Sequence, residues 1–274
     1  MADQIKLLLI ALQFYTRLPI TGRLSAWTRW SPDRLARATR YFPLAGIVVA
    51  LLQSLVYVVA SLLLPHPVAL LLVLAVGLLL TGAFHEDGWA DFCDGFGGHA
   101  DRTRTLAIMR DSRIGTYGAA GLLLLLLLRF ETLAHIDVEW IAAALVCAAA
   151  LSRGCAVLVL ASLPYAREED DAKAKPIAES VRAGDVLPAL ALAGLPLFAL
   201  TAWTGDATAA SLGLAFALLA TAALRRLIRR RLGGYTGDCL GAVQQVSEVA
   251  FLIGLLLALV VGVDAAAIRP ADPS

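Results

Sequence analysis

The sequence is poor in charged residues. Only 16% of its 274 residues are Asp, Glu, Lys or Arg, whereas 59% are hydrophobic. Soluble domains carry about 25% charged and roughly 45–50% apolar residues, and a soluble protein of this length would expose large apolar patches. This composition excludes a disordered chain and an ordinary cytosolic enzyme. It predicts a protein that crosses a membrane several times.

Cysteine is also scarce, and the net charge is close to zero. The four cysteines (Cys93, Cys147, Cys155 and Cys239) follow no paired spacing. This argues against a disulfide scaffold and a zinc site, so we interpret them as small core residues. The net charge of +1 gives no basis for a nucleic-acid partner, and we expect none. The distribution of the charges along the chain is therefore more informative than their sum.

Long apolar segments are abundant. A membrane-spanning helix needs about 20 predominantly apolar residues, and seven segments meet this requirement. They are 42–64, 68–84, 117–133, 140–163, 186–203, 209–224 and 247–263. The apolar segment 4–14 is too short to span and is expected to lie at the membrane interface. We therefore predict an all-α, polytopic integral membrane bundle of about seven helices, which forms a single domain over 1–274.

Basic residues are distributed unevenly between the connections of these spans. Nearly all of the 23 Lys and Arg residues precede the first span or lie in every second connection, and the opposite connections are short and acidic. Basic connections remain in the cytoplasm. We therefore expect a cytoplasmic N-terminus, with the long polar connections facing the cytoplasm.

An acidic stretch, 85–95, directly follows the second span. If it is helical, Asp87, Asp91 and Asp94 are spaced i, i+4 and i+7 and lie on one face, with Glu86 to the side. Carboxylates at this spacing repel each other, and Mg²⁺, which binds carboxylates together with water and phosphate, relieves that repulsion. A solvated acidic face is the alternative, but charges at membrane depth are costly and usually functional. We predict a metal site here, with Glu86 as a further ligand.

A second polar cluster, 110–118, precedes the third span. Its polar members are Arg110, Asp111, Ser112, Arg113 and Tyr117, and glycines follow. Guanidinium groups bind phosphate oxygens bidentately, and hydroxyls and free amides complete such a cradle. Membrane anchoring accounts for the two arginines but not for the aspartate, the serine or the glycines. Together with the acidic stretch, this cluster indicates a site for a metal ion and a diphosphate.

A third polar segment, 229–248, joins the last two spans. Its three leading arginines are typical of membrane anchoring, whereas Thr236 and Asp238 in the following turn could line a phosphate or ribose pocket. Glu248 lies inside the last span, which favours a functional role. Arg153, near the cytoplasmic end of the fourth span, could reach the same cavity or snorkel to the interface. We assign all four residues to substrate binding, so the predicted catalytic segments are 85–118 and 229–248.

Three runs of residues carry a resemblance to a known family. They are His85-Glu86-Asp87-Gly88-Trp89-Ala90-Asp91 with Asp94-Gly95, then Ile108-Met109-Arg110-Asp111-Ser112-Arg113-Ile114-Gly115-Thr116-Tyr117-Gly118, and Thr236-Gly237-Asp238 with Leu240-Gly241-Ala242. They resemble the cobalamin synthases, also called adenosylcobinamide-GDP ribazoletransferases, and shorter similar runs extend the resemblance over essentially the whole chain. The resemblance implies a Mg²⁺-dependent transferase of the bacterial inner membrane. It implies that adenosylcobinamide-GDP is joined to α-ribazole or its 5′-phosphate with release of GMP.

The resemblance suits the polar clusters and suggests a role for each. On this hypothesis one or two Mg²⁺ ions are held by Asp87, Asp91, Asp94 and Asp111, and the last three are the predicted catalytic residues. Arg102, Arg110 and Arg113 neutralise the remaining charge of the diphosphate, with Ser112 and Tyr117 as further substrate-binding residues. The expected partners are the two substrates and the lipid bilayer, and association into a homo-oligomer remains an option.

Two other functions stay open from the sequence. A membrane transporter is one, although the charges cluster at one end of the spans and no repeat relates the two halves of the chain. A phosphotransferase that acts on a CDP-activated alcohol is the other. Asp91, Asp94 and Asp111 are similar to part of the acidic motif of those enzymes, but Gly115 stands where that motif has another aspartate.

Overall fold

The chain is helical almost throughout a computed structural model that describes residues 2–98, 101–166 and 183–268. Within these ranges the α-helices are α1 (Ala2–Tyr15), α2 (Gly22–Thr28), α3 (Pro32–Ala38), α4 (Phe42–Ser61), α5 (His66–Thr81), α6 (Phe84–Gly97), α7 (Arg102–Ile108), α8 (Thr116–Ala134), α9 (Ile141–Ser162), α10 (Ala183–Thr204), α11 (Thr208–Leu232) and α12 (Gly237–Ile268). Two 3₁₀ turns, Thr39–Tyr41 and Val138–Trp140, lead into α4 and α9. The all-α prediction is confirmed.

Six helical segments among the described residues are long and apolar enough to cross a membrane. They are Pro32–Ser61, Thr116–Ala134, Val138–Ser162, Gly184–Thr204, Thr208–Leu232 and Gly237–Val261. Helices α5 and α6 pass the same test together, as a pair bent by 90°, which raises the number to seven. A polytopic bundle of about seven spans is thus confirmed. Most of the basic connection predicted between the fourth and fifth spans lies outside the described residues.

The chain turns sharply between α5 and α6. Gly82 and Ala83 both have left-handed backbone conformations, with φ values of 65° and 54°, and both amides donate hydrogen bonds to the Leu78 carbonyl. These bonds satisfy the last carbonyls of α5 and end the helix. The acidic stretch is therefore helical, as predicted, but it forms a separate helix instead of prolonging the second span.

Helices α9 and α12 form the centre of the bundle. Helix α9 is rich in alanine and 83% buried over its apolar window, and its small side chains let α4 and α10 approach closely. Gly46 of α4 lies so near that an added Cβ would be 2.7 Å from the Ala149 carbonyl oxygen. Helix α12 packs against α6, α8, α9 and α11. It therefore contacts both the acidic helix and the interior of the bundle.

The connection after α9 meets the connection before α12 in a short parallel bridge. The Ala166 amide donates to the Tyr235 carbonyl at 2.8 Å, and the Tyr235 amide donates to the Pro164 carbonyl at 2.9 Å. Arg102 of α7 joins this bridge, because its guanidinium donates to the Leu232 carbonyl at 2.9 Å and to the Ala166 carbonyl at 2.6 Å. These hydrogen bonds connect α7, the segment after α9 and the segment before α12 next to α6.

Candidate active site

Helix α6 carries the acidic stripe on one face. Asp87 is exposed, and Asp91 and Asp94 follow it on the same side of the helix and are half-buried. The helix packs against α12 through Gly88, where an added Cβ would lie 3.1 Å from the Cα of Asp238. The glycine therefore sets the distance between the stripe and the first turn of α12.

Asp94 fastens α6 to the start of α8. Its carboxylate oxygens accept hydrogen bonds from the amides of Gly115 at 2.7 Å and Gly118 at 2.8 Å. Both amides belong to the N-terminus of α8, where unsatisfied N–H groups and the helix dipole favour a negative charge. Asp94 thus stabilises the helix start and holds the Arg-Asp-Ser-Arg cluster beside the acidic stripe.

The cluster before α8 is exposed and internally paired. Nη2 of Arg113 lies 2.6 Å from Oδ2 of Asp111, and the arginine side chain is 87% exposed. Hydrogen bonds from the side chain and the backbone amide of Arg113 lower the pKa of Asp111 to about 2, so the carboxylate is ionised at neutral pH. Arg110, Ser112 and Tyr117 are exposed in the same segment. The cluster therefore presents cations and hydroxyls to solvent next to α6.

A second group of polar residues lies inside the bundle, between α8, α9 and α12. Oε1 of Glu248 lies 2.5 Å from Nη2 of Arg129. Oε2 accepts hydrogen bonds from Ser152, at 3.2 Å, and from Gln244, and it lies 3.8 Å from Nη1 of Arg153. Every one of these side chains is buried. The interior thus holds a carboxylate between two guanidinium groups, in surroundings where an unpaired charge would be very costly.

Glu86 faces this interior group and not the acidic stripe. Its Oε1 accepts a hydrogen bond from Nε2 of Gln245 at 2.8 Å, and it lines a cavity with Arg129, Arg153 and Glu248. That cavity has room for about one water molecule. The structure therefore does not bring Glu86 into one ligand set with the aspartates, although it neighbours Asp87 in sequence.

Arg129 is the member of the interior group that the sequence analysis did not single out. The signal for it was present, because Arg129 interrupts a run of leucines in a predicted span, and an ionisable residue inside a span is a functional candidate by default. Its partner Glu248 lies on another helix.

Arg153 was predicted to bind substrate near the end of its span, but its side chain lies in this buried group and donates to the Ala149 carbonyl at 2.9 Å.

The other predicted substrate-binding residues lie at the connections. Oγ1 of Thr236 accepts a hydrogen bond from the Cys239 amide at 3.2 Å and thereby caps α12. The same hydroxyl donates to Oδ2 of Asp238 at 3.3 Å. The guanidinium of Arg102 binds two carbonyl groups, as described above. Thr236, Asp238 and Arg102 therefore all have structural partners, and Asp238 also lies beside the acidic helix.

The acidic helix has the donor chemistry of a Mg²⁺ site. Mg²⁺ is usually held by one or two carboxylates together with water and substrate phosphates, and Asp87 and Asp91 offer two carboxylates one turn apart. Among the described residues, no group of three or more His, Cys, Asp or Glu side chains is placed to hold a metal ion. Asp94 accepts hydrogen bonds from the start of α8, and Asp111 pairs with Arg113. The residues fit a metal that a bound diphosphate helps to hold.

The three arginines at the end of α11 differ in their surroundings. Nη2 of Arg231 donates to the Gly98 carbonyl at 3.1 Å, and its guanidinium lies 5.3 Å from the ring centroid of Phe96, whereas Arg230 is exposed. We expect Arg231→Gln to lower the free energy of unfolding by about 1–2 kcal/mol. The matched control Arg230→Gln should change it by less than about 0.5 kcal/mol. Thermal unfolding in detergent measures both, and equal effects would contradict this role of Arg231 at the end of α6.

Comparison with known proteins identifies a family. A family model described as Cobalamin-5-phosphate synthase matches residues 7–256. The adenosylcobinamide-GDP ribazoletransferase of Polaromonas sp. (strain JS666) is 41% identical over 279 residues, which cover 92% of this chain and 96% of that protein. Proteins of the same name from Leptothrix cholodnii and Shewanella amazonensis are 44% and 40% identical, and they cover 92% and 93% of this chain and 95% and 96% of their own lengths. No solved structure matches the chain.

Proposed function

Because the chain belongs to the cobalamin-5-phosphate synthase family, we propose that it is an adenosylcobinamide-GDP ribazoletransferase. It joins adenosylcobinamide-GDP to α-ribazole or its 5′-phosphate and releases GMP. One structural observation supports this proposal independently of the family. The hydrogen bonds from Gly115 and Gly118 to Asp94 hold the Arg-Asp-Ser-Arg cluster against the acidic helix, so phosphate-binding and metal-binding groups lie side by side.

Mg²⁺ is the proposed metal, with Asp87 and Asp91 as its protein ligands. Asp94 and Asp111 remain further candidates, because both are carboxylates next to the stripe. When bound, Mg²⁺ neutralises charge on the diphosphate and polarises the phosphoryl group under attack. Two carboxylates leave the other coordination positions to water and substrate, which is the usual arrangement for Mg²⁺ in enzymes that act on phosphates.

The exposed arginines supply the remaining positive charge. Arg110 and Arg113 flank the diphosphate site, and Ser112 and Tyr117 add hydroxyl donors to it. Arg113 is held by Asp111 before substrate binds, which keeps its guanidinium at the site. Positioning and charge neutralisation dominate phosphoryl transfer, so a fixed array of guanidinium groups accounts for much of the expected rate enhancement.

The proposed reaction forms one P–O bond and breaks another. The ribose hydroxyl of α-ribazole attacks the phosphorus that carries the cobinamide arm, and the phosphoanhydride bond to the departing GMP breaks. The hydroxyl proton passes to a carboxylate of the stripe as general base. We also place the protein in the bacterial inner membrane with this site facing the cytoplasm, because the basic connections lie at the same end of the predicted spans.

A direct assay tests this function. The purified protein, in detergent or lipid nanodiscs with Mg²⁺, adenosylcobinamide-GDP and α-ribazole, should yield GMP and the corrinoid product in equal amounts. Excess EDTA should abolish the reaction, and added Mg²⁺ should restore it. A CDP-alcohol phosphotransferase would instead release CMP from a CDP-activated alcohol, and a transporter would catalyse neither reaction. A folded protein that is inert with both corrin and ribazole substrates would reject the proposal.

A further inference from the structure

A cavity with aromatic walls lies beside the first turn of α6, and the roles proposed above leave it unassigned. Its empty space amounts to about 580 Å³ when the open mouth is counted. Its walls come from α1, α4, α6, α9 and α12 and from the connection before α12. We call it the aromatic cavity, after the four rings of Phe14, Tyr15, Phe42 and Phe84 that line it.

The arrangement of these rings favours a flat ligand. Tyr15 and Phe42 are stacked, with ring centroids 4.0 Å apart and an interplanar angle of 22°. Phe14 meets Phe84 edge to face at 5.9 Å. Val157 and Leu160 of α9 also line the cavity. Aromatic rings pair in offset-stacked or edge-to-face arrangements, so the outer faces and edges of these rings suit a planar, largely apolar ligand.

Two buried polar groups of this cavity have no partner among the described residues. They are Oη of Tyr235 and Nε2 of His85, and both residues line the cavity and are almost completely buried. His85 also borders the interior polar group. A buried hydroxyl or ring nitrogen without a hydrogen bond is costly, and a ligand with a single ring nitrogen would provide one. The ligand should therefore be mostly apolar, with one or two atoms that can form a hydrogen bond.

The aromatic cavity and the acidic stripe share one face of α6. Phe84, Asp87 and Asp91 are spaced i, i+3 and i+7, which places them above one another on the helix. Phe84 is 48% exposed, so it lies at the mouth of the cavity. A ligand that stacks in the cavity and extends past Phe84 reaches Asp87 within one helical turn.

We propose that the aromatic cavity binds the base of α-ribazole, an inference that rests on the proposed transferase function. α-Ribazole is a nucleoside whose base is a dimethylated benzimidazole: planar, fused, and apolar except for one free ring nitrogen. With its base among the four rings, its ribose emerges beside Asp87, where the attacking hydroxyl is needed. The purine bases of adenosylcobinamide-GDP fit less well, because apolar walls would leave most of their hydrogen-bonding groups unpaired.

Filling the cavity tests the assignment. Leu160→Phe, on the α9 wall of the cavity, should raise KM for α-ribazole about 10-fold or more, with KM for adenosylcobinamide-GDP and kcat within about twofold of the original values. The matched control is Leu55→Phe on the outer surface of α4, where the side chain is 60% exposed. This control should leave both KM values unchanged. The free base, 5,6-dimethylbenzimidazole, should inhibit the unmodified enzyme competitively against α-ribazole and not against adenosylcobinamide-GDP.

A second variant covers the case in which Leu160→Phe does not fold. Phe84→Ala removes a half-exposed ring at the mouth and should raise KM for α-ribazole about fivefold. An unchanged KM for α-ribazole in a folded variant, or an increase confined to adenosylcobinamide-GDP, would overturn the assignment while the transferase itself stands. So would inhibition by the free base that is not competitive with α-ribazole. Unmodified protein that turns over neither substrate would instead overturn the proposed function.

Discussion

Asp91→Asn is expected to lower kcat by about 100-fold or more while the protein still folds and inserts. The substitution keeps the size of the side chain but removes its charge, and with it a Mg²⁺ ligand and a candidate base. Asp87→Asn should act in the same direction, because Asp87 lies one turn away on the same face of α6. The measurement is kcat at saturating substrates over a Mg²⁺ titration, and both variants should need more Mg²⁺ for half-maximal rate.

Two further variants separate chemistry from structure in this experiment. Asp33→Asn makes the same change at an exposed aspartate of α3 and should leave kcat unchanged. Asp94→Asn should lower kcat as well, and should also destabilise the protein by about 1–2 kcal/mol, because it removes an acceptor from the amides of Gly115 and Gly118. If Asp91→Asn retains activity within several-fold of the unmodified enzyme, the stripe does not hold the metal.

Glu248→Gln should destabilise the protein by about 3–5 kcal/mol. The side chain of Glu248 is only 4% exposed and lies between two buried arginines, Arg129 and Arg153. Removal of the carboxylate leaves guanidinium charge without compensation in a low-dielectric interior, which is the costly way to break a buried ion pair. Unfolding in mixed detergent, followed by helical circular dichroism, measures the loss. The matched control is Glu131→Gln on α8, where the glutamate side chain is 62% exposed.

Removing both charges of the pair tests the reason for that loss. The double variant Arg129→Met with Glu248→Met should regain part of the lost stability, because replacement of the Arg129–Glu248 ion pair by apolar residues is often neutral. The recovery should be incomplete, because the charge of Arg153 remains in the interior. A double variant that is less stable than Glu248→Gln would contradict the charge argument. The kcat/KM of the folded Glu248→Gln protein gives a second test. An unchanged value would indicate that the interior group only stabilises the fold, whereas a lower value would support the predicted role of Glu248 in substrate binding.

The composition of the acidic stripe and of the Arg-Asp-Ser-Arg cluster was predictable from the sequence, because each is encoded by residues close together in the chain. The helical period alone places Asp87, Asp91 and Asp94 on one face, and the Arg-Asp-Ser-Arg run is contiguous. The sequence could not show that Asp94 binds the start of α8, because that contact depends on how two helices pack. Glu86 was predicted to join the aspartates as a metal ligand, but its carboxylate faces the interior group. Neighbours on a helix point about 100° apart, and only the bundle decides which side is interior.

The bend before α6 and the interior group were beyond sequence reasoning for different reasons. The bend needs a left-handed Ala83 next to Gly82, and alanine carries no preference for that conformation. Arg129 and Glu248 were each visible as charges within apolar runs. Their pairing is a tertiary contact between α8 and α12, which one sequence does not reveal.

The scarcity of charge and the long apolar runs determined a helical membrane bundle, because a backbone in lipid must satisfy its own hydrogen bonds and helices do so within each segment. Spacing along the chain likewise determined the acidic stripe and the basic cluster. Only the tertiary structure decided which charges meet. It directed Asp87 and Asp91 to the outer face, paired Glu248 with Arg129 in the interior, and built the aromatic cavity from five helices. These contacts depend on how pairs of helices pack, as where α6 meets α12 at Gly88. Such packing requires that the surfaces of both helices fit each other, which the sequence of one helix does not specify.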